Sequence, residues 1–182
     1  KGAFLLEILT GQLSSWPVEN SDHLRRNISG HRLIWINKKN TLLLSFGESV
    51  IYGGLHRPLE FYYLNPFIPF QFASLEGEEG GDSGIDDNYL LFLSGRYVLA
   101  NTLSFYSDLI IDDYQMDADE NKDYPNAYCY LIGIDGAKNL FGREFIFSLE
   151  FVKASMWVYT HERIYNNWQN MSFPMEIGRA HV

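Results

Sequence analysis

Four acids, Glu48, Asp108, Asp112 and Glu150, lie in segments that are otherwise apolar at about every second residue. Side chains on a strand alternate faces, so acids recurring opposite the apolar positions belong to a wet surface. Carboxylates placed there can pair with Arg32, Arg96 or Arg143, or accept hydrogen bonds from sugar hydroxyls. A pair separated by ~5–10 Å could instead hydrolyse a glycosidic bond. Nothing in the spacing specifies that separation, so no catalytic residue is assigned. The plainest role is a salt-bridged network that fills an interior.

Other candidate chemistries are weaker. His23, His31, His56 and His161 form no H-E-x-x-H pair, and no serine occupies a G-x-S-x-G elbow. They read as rim or turn residues. Asp117, Asp119, Asn121 and Asp123 resemble the start of a calcium loop. Lys122 stands where an EF-hand needs glycine and Tyr128 where it needs glutamate, so that motif is excluded. A plain acidic hairpin loop is the default, with a looser calcium site as the alternative. No metal site and no cofactor are expected.

The elements that would position these groups are strands. Leu42–Phe70 organises the chain: an apolar run carrying Glu48 ends at Gly53-Gly54, and an aromatic block broken by prolines follows. Strand-like runs cover Ala3–Ser14, His31–Asn37, Thr41–Tyr52, Asn88–Ala100, Thr102–Asp113, Ala127–Ile134, Arg143–Val152 and Ala154–His161. Ser15–Gly30 reads as a polar turn region. Pro58 suits the first position of a short helix near 58–64, which Asn65-Pro66 would stop. In Arg143–Val152, Phe145, Phe147, Leu149 and Phe151 face one way and Glu144, Ser148 and Glu150 the other.

Composition narrows the function classes. A net charge of −9 argues against nucleic acid, whose binding needs clustered Lys and Arg. The single cysteine, Cys129, excludes an internal disulfide framework. No apolar run approaches the ~20 residues of a spanning helix. Aromatics make up 16% of the chain, which suits strands and also the aromatic girdles of outer-membrane barrels. The expected class is all-β, an antiparallel meander of hairpins. A soluble sandwich with its apolar face inward and a membrane barrel with it outward both fit.

The motif order ESVIYGG, LEFYYLNPF, SFYSDLIIDDYQMD and SLEFVKASMWVYTH resembles the capsule-assembly (Wzi-like) family of bacterial outer-membrane β-barrels, as a divergent environmental member. The likeness spans about Leu42 to Trp168 and rests on Glu48, Tyr52-Gly53, Tyr63-Leu64-Asn65-Pro66-Phe67, Asp108, Asp112-Asp113, Glu150 and Tyr159-Thr160-His161. It implies a transmembrane barrel in the outer membrane, with lipid as partner. It further implies a non-enzymatic role in surface or capsular polysaccharide attachment, assembly or passage. Glu48, Asn65, Arg96, Asp108, Asp112 and Glu150 are then the lumen-binding candidates, with Glu48, Asp108 and Asp112 expected to converge near Asn65-Pro66. A hydrolase acting on glycan or lipid, and a soluble carbohydrate-binding sandwich, are the alternatives.

Residues 1–175 are expected to be one barrel fragment, truncated at both ends. Ile177–Val182 can be written ATC GGA AGA GCA CAC GTC, the start of a common short-read sequencing adapter, so 176–182 are expected not to be native.

Overall fold

Strand β7, Arg143–Ala154, carries the cleanest alternation in the sequence and forms as expected. It is the last strand of a seven-stranded antiparallel meander in the order β1-β2-β3-β4-β5-β6-β7. The other strands are β1 (Ala3–Pro17), β2 (His23–Ile36), β3 (Leu42–Leu55), β4 (Asn88–Leu99), β5 (Leu103–Asp113) and β6 (Ala127–Leu140). The sheet is not closed. Two short strands, β8 (Gln169–Asn170) and β9 (Phe173–Pro174), pair separately. This computed structural model describes residues 1–17, 23–55, 57–70, 87–99, 102–113, 127–156, 158–160, 164–170 and 173–175. The adapter-like residues 176–182 lie outside the described residues, as does the acidic run at Asp117–Asp123.

Residues paired across neighbouring strands share a face, so the register from β4 to β7 sorts side chains into two surfaces. One carries the rows Tyr97-Phe105-Ile134-Leu149, Gly95-Ser107-Ile132-Phe151 and Leu93-Leu109-Tyr130-Lys153. The opposite face carries Arg96-Tyr106-Gly133-Glu150, Val98-Ser104-Asp135-Ser148 and Ser94-Asp108-Leu131-Val152. In these rows the first surface is mainly apolar and the second mainly polar, although the second also carries the apolar row Phe92-Ile110-Cys129-Ala154; both stay in register until a bulge between Ile111 and Asp113. Cys129 is buried, with Ile110 and Ala154 beside it in the register.

The connections fall into two sets. Those over 18–22, 56–87 and 114–126 follow odd-numbered strands, whereas 37–41, 100–102 and 141–142 follow even-numbered ones. In an antiparallel meander each set belongs to its own end of the sheet, and the set after even-numbered strands has at most five residues in each connection. In the β2–β3 turn, Asn37 Oδ1 accepts from the amides of Thr41 (2.9 Å) and Leu42 (3.2 Å). Asn40 supplies the left-handed position there, with φ 54°. The β6–β7 turn has two central residues, Phe141 (φ 54°) and Gly142 (φ 74°), both in the positive-φ region that a mirrored hairpin turn requires. A side chain with a Cβ pays ~1–2 kcal/mol for that conformation.

Three expectations change. β2 starts at His23, so most of the region read as a turn is strand. Its polar residues misled because they are buried with partners: Arg26 donates to the carbonyls of Asn167 (2.9 Å) and Gln169 (2.7 Å), and also to that of Tyr165. No strand follows β7 over the described residues 155–156 and 158–160, where 156, 158 and 159 lie in turns. The short helix is a 3₁₀ turn over Phe61–Leu64, and Pro58 lies before it. The Pro58 carbonyl instead accepts a 3.5 Å bond from Asn27 Nδ2. Asn65 is extended at φ −82°, ψ 107°, as the residue before a proline tends to be.

The chain divides into two compact units. One comprises Lys1–Glu7, Arg32–Gly47 and Leu91–Val158 and holds the two-faced β4–β7 sheet. The other comprises Ile8–His31, Glu48–Leu90 and Tyr159–Val182. Its core contains Val50, Tyr52, Tyr63 and Phe70, with Tyr89 packed against them. The Tyr63 and Phe70 rings meet edge to face at 5.2 Å, a favoured aromatic geometry.

Candidate functional site

In the first unit the candidate surface is the polar face of β4–β7. Arg96 Nη2 donates to Ser104 Oγ (2.8 Å) and to Asp135 Oδ2 (3.1 Å). The Ser104 hydroxyl donates to Asp135 in turn. One register row away, the Tyr106 hydroxyl donates to Glu150 Oε1 at 2.6 Å, within 3.4 Å of Ser148 Oγ. The Arg96 guanidinium stands 5.9 Å from the Tyr106 ring centre. The result is a strip of one cation, two carboxylates, two serines and a phenol, capable of binding hydroxyl-rich ligands. The Arg96 side chain is half exposed, so its ion pair with Asp135 contributes little to stability and leaves donors accessible.

Gly133 makes the strip possible. A Cβ built there would sit 2.2 Å from two Tyr106 ring carbons. The ring therefore covers the glycine and reaches Glu150 across β6. On the apolar face Phe147 covers Gly136 in the same way, 2.7 Å from the position a Cβ would take. Gly133→Ala is expected to displace Tyr106 and break its bond to Glu150, costing ~1–3 kcal/mol in a urea titration. Tyr106→Phe should lose less, because the ring still covers Gly133.

In the second unit Glu48 is 5% exposed and fully engaged. Its Oε1 lies 3.0 Å from His31 Nε2, and its Oε2 accepts the Phe70 amide at 2.9 Å. His31 stands edge-on to Phe70 at 4.6 Å. Glu48 thus ties the end of the aromatic segment to its strand. Asn65 is exposed, and its Oδ1 accepts the Phe67 amide at 3.1 Å, forming a side-chain turn.

The same unit contains a cluster that sequence reading missed. Arg57 donates to both oxygens of Glu60 (2.8 and 2.9 Å) and to Asp87 Oδ2 (2.8 Å). The Asp87 carboxylate is completely buried and also accepts the Tyr63 hydroxyl. Glu60 accepts the Tyr62 hydroxyl. The Arg57 guanidinium lies 5.0 Å from the Tyr52 ring centre, and the Tyr52 hydroxyl receives the Glu60 amide at 3.2 Å. Burial alone would lower the Arg57 pKa, but the bonds and charges of Glu60 and Asp87 outweigh it and hold the group well above its ordinary value. Burial, reinforced by Asp87, pushes the Tyr63 phenol far up; burial and Glu60 do the same to Tyr62. All three groups keep their protons at any ordinary pH, so the cluster is a structural clamp.

The six candidates are divided between the two units. Arg96 and Glu150 lie on one polar face, where both neighbour Tyr106, and Asp108 is half-buried on the same face beside Ser94. Asp112 is half-buried near the bulge and engaged. Glu48 and Asn65 belong to the other unit. Glu48 is met by a ring nitrogen and a backbone amide, and Glu150 by a tyrosine hydroxyl. Asp135 was overlooked; its signal was the parity it shares with Leu131 and Gly133. Among the described residues no three His, Cys, Asp or Glu side chains are grouped to hold a metal.

Compared with known proteins, the chain matches no family model, no curated protein and no solved structure. Its function is therefore argued from its own residues.

Proposed function

We propose that this chain is a segment of an outer-membrane β-barrel that binds surface polysaccharide on its polar face without cleaving it. The observation that carries the reading is the exposed apolar face of β4–β7 set back to back with the Arg96–Glu150 strip. Leu149 is 70% exposed and Ile132 57%, and their neighbours Phe145, Phe147 and Phe151 are exposed too. Water makes this arrangement unfavourable over so large an area, whereas a lipid bilayer makes it favourable. No helix among the described residues is long and apolar enough to cross a membrane. The polysaccharide part rests on the Wzi-like motif order together with the hydroxyl-binding groups of the strip.

Heat-modifiable migration in SDS gels tests the barrel: the unboiled chain should run apart from the boiled one. The ligand has its own test. Arg96→Gln with Glu150→Gln should reduce retention of the cell's surface glycan at least tenfold, with heat-modifiability unchanged. Unchanged retention would leave the strip as structural filling, and release of shortened glycan by the parent chain would favour a hydrolase.

A further inference from the structure

The β6–β7 turn breaks a rule that the β2–β3 turn obeys. Asparagine fills the left-handed position at Asn40, as turn chemistry favours, but a phenylalanine fills it at Phe141. The Phe141 side chain makes no compensating contact, since the residue is 100% exposed. A bulky residue in a strained conformation, with its ring entirely in solvent, serves neither the turn nor the packing. Such an outlier points to function. Leu140 beside it is also exposed.

The β2–β3 and β6–β7 turns carry mainly positive charge. Lys138 and Arg143 flank the turn, with Glu144 the one acid between them and β7's first apolar pair. Lys38 and Lys39 sit in the β2–β3 turn, at the same end of the meander and in the same compact unit. All four cations are exposed.

We propose that the short-turn end of the sheet is a membrane-interface anchor: Lys38, Lys39, Lys138 and Arg143 hold anionic phospholipid headgroups while Phe141 inserts between them. The inference rests on the barrel reading above and adds a partner for one end of it. Aromatic rings rest well at headgroup level, and basic residues are drawn to anionic leaflets. The ring's strain is then offset by lipid contact that the protein alone does not supply.

The test uses the full chain carrying Phe141→Trp, refolded into phosphatidylcholine vesicles with and without phosphatidylglycerol. Nitroxide-labelled lipids report depth, with the parent chain's tryptophan signal subtracted. The added tryptophan should be quenched most by a nitroxide at headgroup level. The urea midpoint of the parent should rise with phosphatidylglycerol, and replacing the four cations with glutamine should abolish that rise. Heat-modifiable, inserted protein whose position 141 escapes the quencher, or whose midpoint ignores phosphatidylglycerol, would overturn the anchor and leave the barrel intact; position 141 would then be free for a protein partner. Failure to insert into any vesicle would overturn both.

Discussion

Arg57→Met is expected to lower stability by ~3–5 kcal/mol, the largest effect of any single substitution considered, because it strands a buried carboxylate. Asp87 has no exposed side-chain surface, and without Arg57 it would retain the Tyr63 hydroxyl but no cation. Glu60 would lose its bidentate partner at the same time. Arg57→Lys should fall between parent and methionine variant, since an ammonium keeps the charge but cannot fork to two carboxylates. The double variant Arg57→Met with Asp87→Leu should recover part of the loss, because the uncompensated charge is gone. Urea unfolding of the refolded protein measures all three. A loss below ~0.5 kcal/mol for Arg57→Met, the range of an ordinary surface substitution, would mean the clamp does not hold the 57–70 segment.

The second large effect depends on the solvent around β7. Leu149 and Ser148 are both exposed, so in water a lysine at either position should change little. In a bilayer, lysine at Leu149 or Phe147 should cost ~2–4 kcal/mol near the midplane and much less near an interface. Ser148→Lys, on the face with Tyr106, should stay close to the parent. Folding titrations in vesicles give the comparison, and equal tolerance at 147, 148 and 149 would count against lipid on the apolar face.

The strands were legible wherever one face is apolar and the other wet. Phe145, Phe147, Leu149 and Phe151 announce β7 because a period of two leaves no other regular structure. β2 was only half legible, since Arg26, Asn27 and Ser29 look like turn residues until their burial and bonding are known. The aromatic segment was legible as an interruption, through Pro58 and Asn65-Pro66, but not as a 3₁₀ turn of four residues. The clamp was not legible at all: Arg57 and Asp87 are thirty positions apart, and nothing local in either sequence context specifies the other. For the polar face, parity identified Glu150 and Asp108, while the partner of Arg96 depended on which residue of β6 lies opposite Ser104. Register settles that, and register is a property of paired strands.

The central claim is that one face of β4–β7 meets lipid and the other an aqueous interior. The most direct measurement is a cysteine scan of residues 144–151 in a Cys129→Ala background, each site carrying an environment-sensitive fluorophore, with the protein refolded into vesicles. The account predicts a period of two: apolar emission and quenching by lipid-borne nitroxide at 145, 147, 149 and 151, and water-like emission without such quenching at 144, 148 and 150. Water-like emission at every site, or the opposite alternation, would contradict it.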